Sequence, residues 1–579
     1  MAARMRGSAS PSMRLILRPS ATVARVPFRT PRRGLASQNA QKSNGSPSMV
    51  LGGLGAAGAG AAAYIGYSFF KGDFNEVPTE SKSAAEKQMI NVHDLQEQPL
   101  IQEKRSLKSP AVYMCGSNVY KVVDPGSKDT DVKTPRRFKY FNGQVLRDFK
   151  ASEKSGAAIT EDGDLVQWGK GFSEKEYKPT KTLTGKNLKS LALSENRVIA
   201  LSSDGTVYSL PIAKEEQQAG PRTQEGSWIP FWSNQSALSY RCLKPALGFG
   251  EKVTSISAGQ EHVVLLTSSG RVFTAVASTE HYPSRGQLGV PGLTWSTRPK
   301  GPVDVCHEVT AFLGSPVSKI SAGDYHSLAL TKDGRVFAWG DNSFGQLGVD
   351  YDSEQTSRDT PFALSLSKLY RQGLYAVQAT NIAAGGAGSF FTVDAKRVLG
   401  PEESSKAVRD LGHVTADTWA CGKGIWGQLG TGRWVHLQDS PAKVKDLSGL
   451  AEYDEVKNQM TPIRLRDISV GTTHVSAIMD NKTAVTSRPT DSLDRSRDFG
   501  YDLLLWGGNE HFQLGTGKRV NFSRPSYIRA PAEASKKDEP EARLQIMPRH
   551  KGMVGKRSVR MEQRVECGRH VTAIFSAVA

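Results

Sequence analysis

The stretch Ile320–Gly348, ISAGDYHSLALTKDGRVFAWGDNSFGQLG, decides the fold because it recurs along the chain. A second copy opens at Ile256 as ISAGQEHVVLLTSSG, runs on into Arg271-Val-Phe273 and returns to Gly286-Gln-Leu-Gly289. Weaker copies are FKASEKSGAAITEDG at 149–163 and LALSENRVIALSSDG at 191–205. Others begin near 382, 468 and 565, which makes seven, although the last stops at Ala579 without its second half. A unit repeated in this way cannot bury its own apolar face, so successive copies must share a core.

Each copy holds two runs of branched and aromatic residues joined by a tight turn. In the clearest, Ser327–Thr331 and Arg335–Trp339 flank Lys332-Asp333-Gly334. Asp-Gly between such runs predicts a β-hairpin, since glycine accepts the positive φ of primed turns. Asp162-Gly163 and Asp204-Gly205 repeat the signal. Short strands at even spacing, with no amphipathic helix between them, predict an all-β fold of small sheets arranged radially, a β-propeller. The missing half-copy stands at the other end: Val112-Tyr-Met-Cys-Gly-Ser-Asn118 matches Val336-Phe-Ala-Trp-Gly-Asp-Asn342. The N-terminal strand is therefore expected to pair with the strand near 571–578 and close a seven-bladed ring without open edges.

These residues resemble the repeat of the regulator of chromosome condensation (RCC1) family. The marks are Ala-Gly-x-x-His at Gly259 and His262 and at Gly323 and His326, with Gly471 and His474 in the same places. Trp-Gly-x-Asn stands at Trp339 and Gly340 and at Trp506 and Gly507, and Gly-Gln-Leu-Gly at 286–289, 345–348 and 427–430. The resemblance covers roughly residues 110–579 and implies an RCC1-like propeller over 109–579. Ser155, Arg197 and Gly388 depart from it where the histidine is expected, and Ser209, Ala275 and Cys421 where the tryptophan is expected.

Of 579 residues 38% are hydrophobic, enough for a large core, and the formal charge is +18. The five cysteines form no C-x-x-C pair, and Cys306 beside His307 is not a zinc spacing, so neither a metal site nor a disulfide framework is expected. Residues 1–35 hold eight arginines and no acid, and the first acidic residue is Asp73. Such an N-terminus reads as a mitochondrial presequence, with a basic nucleic-acid-binding arm as the opposing reading. Its removal takes the formal charge from +18 to +10, by eight arginines. After a short linker, 36–48, Met49–Phe70 is an uncharged run of 22 residues. That length crosses a bilayer core, and Tyr64, Tyr67, Phe69 and Phe70 gather at one end as interface anchors do. A single membrane-spanning helix is expected there, against the alternative of a Gly/Ala linker, and residues 71–108 read as a polar linker.

Catalytic chemistry is not expected. Gly53-Leu-Gly55-Ala-Ala-Gly58 and Gly422-Lys-Gly424-Ile-Trp-Gly427 match G-x-G-x-x-G, but neither follows a strand and opens a βαβ helix. Histidines 262, 326 and 474 recur at one place per copy, which is the mark of a structural position rather than of a catalytic base. No catalytic residue, cofactor or small-molecule substrate is assigned. Function is expected on loops that interrupt the repeat. The insertion 214–243 carries Trp228, Phe231 and Trp232 as candidate partner-binding anchors. The segment 543–564 gathers Arg543, Arg549, Lys551, Lys556, Arg557, Arg560 and Arg564 with only Glu562 opposing, a candidate patch for anionic lipid or RNA.

Presequence, membrane run and repeats together resemble the fungal mitochondrial RCC1-like proteins. That resemblance implies a non-enzymatic scaffold of the mitochondrial inner membrane, its propeller facing the matrix. Its clients would be proteins, subunits or assembly factors of respiratory complex III (cytochrome bc1). Two alternatives stay open: a guanine-nucleotide exchange factor for a mitochondrial GTPase, the activity of the family's founder, and an RNA or mitoribosome assembly factor, which is not favoured. On import the first ~35 residues are expected to be removed, and the mature chain to stay in the membrane pellet after alkaline carbonate extraction. Release of the intact mature chain into the soluble fraction would reduce Met49–Phe70 to a linker.

Overall fold

Continuous rather than alternating apolar runs mark the second strand of the repeat. Arg197–Ser202, His262–Thr267, His326–Thr331 and His474–Met479 are buried at all six positions. A strand buried on both faces must lie in a sheet covered on both faces. The computed structural model describes residues 109–226, 233–278, 281–371, 373–400, 403–404, 408, 410–454, 458–481, 500–528 and 544–579. The expected presequence, linkers and membrane run lie outside them. Among the described residues no helix is long and apolar enough to cross a membrane.

The strands form an RCC1-like propeller of antiparallel four-stranded blades. Blade 1 is Leu146–Ala151, Gly156–Thr160, Leu165–Trp168 and Thr180–Lys181. Blade 2 is Leu188–Leu193, Arg197–Ser202, Val207–Pro211 and Arg241–Leu243, and blade 3 is Val253–Ala258, His262–Thr267, Val272–Val276 and His307–Glu308. Blade 4 is Val317–Ala322, His326–Thr331, Val336–Asp341 and Ser357–Ala363; blade 5 is Tyr375–Gly385, Gly388–Arg397, Val414–Gly424 and Val435–Lys443. Blade 6 is Leu465–Val470, His474–Met479, Tyr501–Gly507 and Phe522–Tyr527.

Blade 7 draws on both ends of the chain. Arg557–Cys567 and Val571–Val578 are joined by Val112–Ser117 and Asp131–Arg137, with Val112 opposite Phe575 and Gly116 opposite Val571. This is the pairing that the half-copies predict. A parallel bridge, Leu146 to Ala577, links blade 7 to blade 1. The first strand of each blade touches the first strand of the next, and that of blade 7 touches that of blade 1.

Burial explains why the succession has to return on itself. The core divides into seven clusters among the described residues, and each lies between two successive blades rather than inside one. Phe149 and Trp168 of blade 1 pack with Val112 and Phe575 of blade 7; Leu328 of blade 4 packs with Phe391 of blade 5. A blade at an open end would leave one of these faces in water, at roughly 25 cal/mol per Å² of apolar surface.

The topology gives the ring two unlike faces. One carries the Asp-Gly hairpins and the connections from each fourth strand to the next blade, and is termed the turn face. The other, the loop face, carries the turns between first and second strands and the Gly-Gln-Leu-Gly loops. On the loop face backbone amides run from blade to blade: Glu195 to the Gln260 carbonyl (3.0 Å), Gln260 to Asp324 (2.9 Å) and Asp324 to Gly386 (2.7 Å). One expectation is corrected by register. Val198 faces Leu210, so Leu210 and not Ser209 holds the tryptophan position of blade 2.

Removing residues 109–120 is expected to lower the unfolding midpoint of the whole propeller in one cooperative transition, because it strips an edge from Val571–Val578 and opens the cluster between blades 7 and 1. An unchanged midpoint, with only local loss of structure by hydrogen exchange, would count against closure as a global constraint.

Candidate functional site

The repeat histidines are spent on joining blades. His262 Nε2 lies 2.8 Å from the Ser327 hydroxyl, His326 Nε2 2.8 Å from that of Ser389, and His474 Nε2 2.7 Å from that of Thr572. Each partner stands on the second strand of the following blade. Ser389 and Thr572 donate their single hydroxyl proton to the carbonyls of Gln346 and Gln513, both at 2.6 Å, so they must accept from the imidazole. That fixes the neutral tautomer with its proton on Nε2. Glycine three residues before the histidine makes room for the ring: a Cβ at Gly323 would lie 2.2 Å from His326 Cε1. Burial pushes the three imidazoles down, to about 3 for His262 and His474 and to about 4 for His326.

The Gly-Gln-Leu-Gly loop has the matching role. Its glutamine carbonyl in one blade receives the tryptophan of the next: Trp339 Nε1 donates to Gln287 (3.0 Å) and Trp506 Nε1 to Gln428 (2.8 Å). Where cysteine replaces tryptophan, the thiol occupies the same seat, Cys421 on Gln346 and Cys115 on Gln513, both at 3.5 Å. None of the five cysteines is in a disulfide. Blade 2 departs furthest. Arg197 takes the histidine position and turns inward on Ser209, with Nε 2.7 Å from its hydroxyl and Nη2 2.8 Å from its carbonyl. Gly340 and Gly507, with φ of +106° and +105°, stand where any Cβ would strike the backbone of the neighbouring strand.

Around the axis the first strands enclose a cavity of about 670 Å³. Its charges answer one another: Lys150 of blade 1 pairs with Glu566 of blade 7 at 2.8 Å. Among the described residues no group of histidine, cysteine and carboxylate side chains is arranged to hold a metal ion.

The irregular features lie on the loop face of blades 2 and 3. Between the third and fourth strands of blade 2, the helix Lys214–Ala219 leads into a small ladder, Gln224–Gly226 with Ser233–Gln235. Trp228, Phe231 and Trp232 come between the two ladder strands in sequence and lie outside the described residues. The root of the insertion is fixed: Gln217 is fully buried and donates to the Pro211 carbonyl (2.7 Å) and to Gln167 (2.9 Å). The corresponding loop of blade 3 spans 277–306 and presents Trp295, which is 61% exposed, with the Arg298 guanidinium 4.2 Å above its ring and Tyr282 edge-on. Arg241 and Asp304 tie blade 2 to this loop at 3.2 Å. Trp295 is absent from the sequence reading, although the long interval between Gly289 and Val317 marked an insertion.

The basic segment falls on the turn face of blade 7, as the hairpin His550–Val554 and Arg557–Cys567. Arg543 lies outside the described residues. The expectation that only Glu562 opposes these cations needs correction, because Glu161 of blade 1 pairs with Arg557 at 2.9 Å. Arg564 and Arg549 do share Glu562, at 2.8 and 3.5 Å. Lys551, Lys556 and Arg560 remain exposed.

Residues 317–346 and 333–391 match the regulator of chromosome condensation (RCC1) repeat. The chain is 24% identical over 415 residues to "Protein FMP25, mitochondrial" of Saccharomyces cerevisiae, covering 67% of this chain and 61% of that protein. It thus spans about three fifths of the length of that relative. It is also 24% identical over 371 residues to "RCC1 domain-containing protein RUG3, mitochondrial" of Arabidopsis thaliana, over 61% of this chain and 69% of that one. Among solved structures, human WBSCR16 matches at 17% identity and a TM-score of 0.51, over 81% of this chain and 99% of that one. Yeast RCC1 (Prp20), bound to Kap60, matches at 18% identity and 0.52, over 82% and 90%.

His326→Asn is expected to lower stability at pH 7 by about 1–3 kcal/mol through a lost buried hydrogen bond. The pH dependence has a definite sign. Because the folded histidines titrate near 3 to 4, below their ordinary value of 6.5, the unfolded chain binds more protons between those limits. Their contribution is complete above about 6.5 and is lost as the pH falls toward 3 to 4. The variant should therefore lose stability less steeply in that window, by up to ~1.4 kcal/mol per pH unit. Denaturant unfolding at a series of pH values measures both.

Proposed function

Taking the RCC1 repeats as premise, we propose that this chain is a non-enzymatic, membrane-tethered mitochondrial scaffold that holds protein clients on its loop face during assembly of respiratory complex III. The observation that carries the reading is the pair of insertions on neighbouring blades 2 and 3. Both are rooted on the loop face, and both contain tryptophan: Trp228 and Trp232 in the sequence of one, and Trp295, exposed beside Arg298, in the other. Tryptophan and arginine on a rigid support are the residue types that dominate protein–protein binding energy.

Further support comes from what the repeats do. Histidines 262, 326 and 474 are enclosed between blades and hydrogen-bonded to hydroxyls, which leaves them structural work rather than proton transfer with a substrate. The names of the yeast and Arabidopsis relatives assign those proteins to mitochondria, in agreement with the arginine-rich, acid-free N-terminus. The uncharged run Met49–Phe70 supplies the tether to the inner membrane, and the propeller faces the matrix.

Replacing Trp228, Phe231 and Trp232 together by alanine, or Trp295 alone, is expected to weaken client capture by a few kcal/mol with an unchanged unfolding midpoint. Native-gel analysis of complex III in cells carrying each variant reads the consequence. Normal assembly in both, beside a defect in a stably folded His326→Asn chain, would replace the scaffold by a site chemistry centred on the repeat histidines.

A further inference from the structure

Every first strand begins on the turn face, and that of blade 7 overruns it. In blades 1 to 4 and in blade 6 this strand has six residues; Tyr375–Gly385 of blade 5 has eleven, as does Arg557–Cys567. Its pairing with Val571–Val578 ends at Met561 opposite Val578. Residues 557–560 continue past that point, paired with the His550–Val554 strand, apart from the Arg560 carbonyl, which accepts from the Ala579 amide (3.0 Å). Alternation sorts this projecting hairpin into two sides. Gly552 and Met561 are buried on one. On the other, Lys551 stands opposite Arg560 and Met553 opposite Ser558, all exposed, with Lys556 at the tip. Like charges directly opposite on a ladder cost stability unless an anion lies between them. No described carboxylate pairs with Lys551, Lys556 or Arg560.

The same face carries large apolar side chains on the connections of other blades. Phe249 between blades 2 and 3 is fully exposed; Leu313 between blades 3 and 4 is 69% exposed, and Tyr453 between blades 5 and 6 is 56% exposed. With Met553 at 52% on the hairpin, apolar tips and unpaired cations share one side of the ring. The chain also comes into the fold here. Ala111 is held at the turn-face end of blade 7, its amide bonding the Ser576 hydroxyl (3.2 Å) and its carbonyl the Ser576 amide (3.1 Å). Upstream in sequence lies the uncharged run Met49–Phe70.

We infer that the turn face is a lipid-docking surface, on which the 550–560 hairpin binds anionic headgroups while the apolar tips enter the interface. Cationic and apolar residues side by side fit a bilayer surface, where the field of anionic lipids and the acyl boundary act together. Clients would then be held on the opposite, loop face. The inference rests on the tethered reading only in the direction from which the membrane approaches.

The test uses the chain lacking residues 49–70. Every blade is built from residues 112–578, so the deletion leaves the described contacts in place. Co-flotation is measured with vesicles of phosphatidylcholine alone and with cardiolipin added. The expected result is capture by the cardiolipin vesicles only, reversed by salt. The Lys551→Gln/Lys556→Gln/Arg560→Gln chain should lose it by roughly a hundredfold, from three charges near the surface, at an unchanged unfolding midpoint. Met553→Ser should weaken capture less. Equal flotation with both vesicle types, or capture unaffected by the triple substitution, overturns the inference. So does release of the bound chain from vesicles by single-stranded RNA at stoichiometric amounts, which would assign the hairpin to RNA. Carbonate extraction of the intact chain tests the tether separately, so one can fail while the other stands.

Discussion

The antiparallel pairing of Val112–Ser117 with Val571–Val578 is the constraint on which the rest of the molecule depends. It joins residues separated by as many as 465 positions, Ala111 and Ser576 among them. Because each core cluster lies between two blades, no blade has a hydrophobic interior of its own. Stability is thus held in the seams. The seams also carry the recurring polar contacts: imidazole to hydroxyl, hydroxyl to glutamine carbonyl, and indole or thiol to the same carbonyl. A signature spread over the repeat, glycine with histidine and tryptophan with Gly-Gln-Leu-Gly, proves to be two halves of one joint contributed by successive copies.

That joint is a structural support, and the proposed function is placed elsewhere. A histidine with a proton on Nε2, buried and held neutral, has little left to offer a substrate. The repeat motif accordingly accounts for rigidity, while diversity is left to the connections. Blades 2 and 3 place theirs on the loop face, with aromatic residues; blade 7 places its basic hairpin on the turn face. A ring offers this division readily, since lengthening a loop on one face need not disturb the strands or the other face.

Much of the architecture was legible in the chain because turns and strands are encoded locally. Asp333-Gly334 and its counterparts mark the hairpins, and the unmatched halves at Val112 and Val565 announce the closing pair. What could not be read were contacts made in trans between copies. Nothing near His326 in sequence points to Ser389, and nothing near Arg557 points to Glu161, since both partners come from the next blade. The displaced assignment of Ser209 has a different origin: blade 2 has neither histidine nor tryptophan, and without them only the ladder register shows that Leu210 holds the position. Trp295 was missed because it follows an intact Gly-Gln-Leu-Gly, which made the loop look regular when its length was the signal. The candidate partner-binding residues Trp228, Phe231 and Trp232 were picked out by composition alone and lie outside the described residues.

The closing pair also fixes an order of events. During synthesis the strand at Val112 is made before any blade exists, yet its partner, Val571–Val578, is made only after blades 1 to 6. Ring formation must therefore wait for that strand, and the entropy of bringing the two distant strands together falls on a single late step. Until then, both edges of the unfinished array are exposed, a state that favours misassembly. The reverse path is equally restricted: if closure is part of the late barrier, unfolding has to break that seam first. A chain slow to finish is then also slow to come apart, and its persistence is set by a rate as much as by an equilibrium.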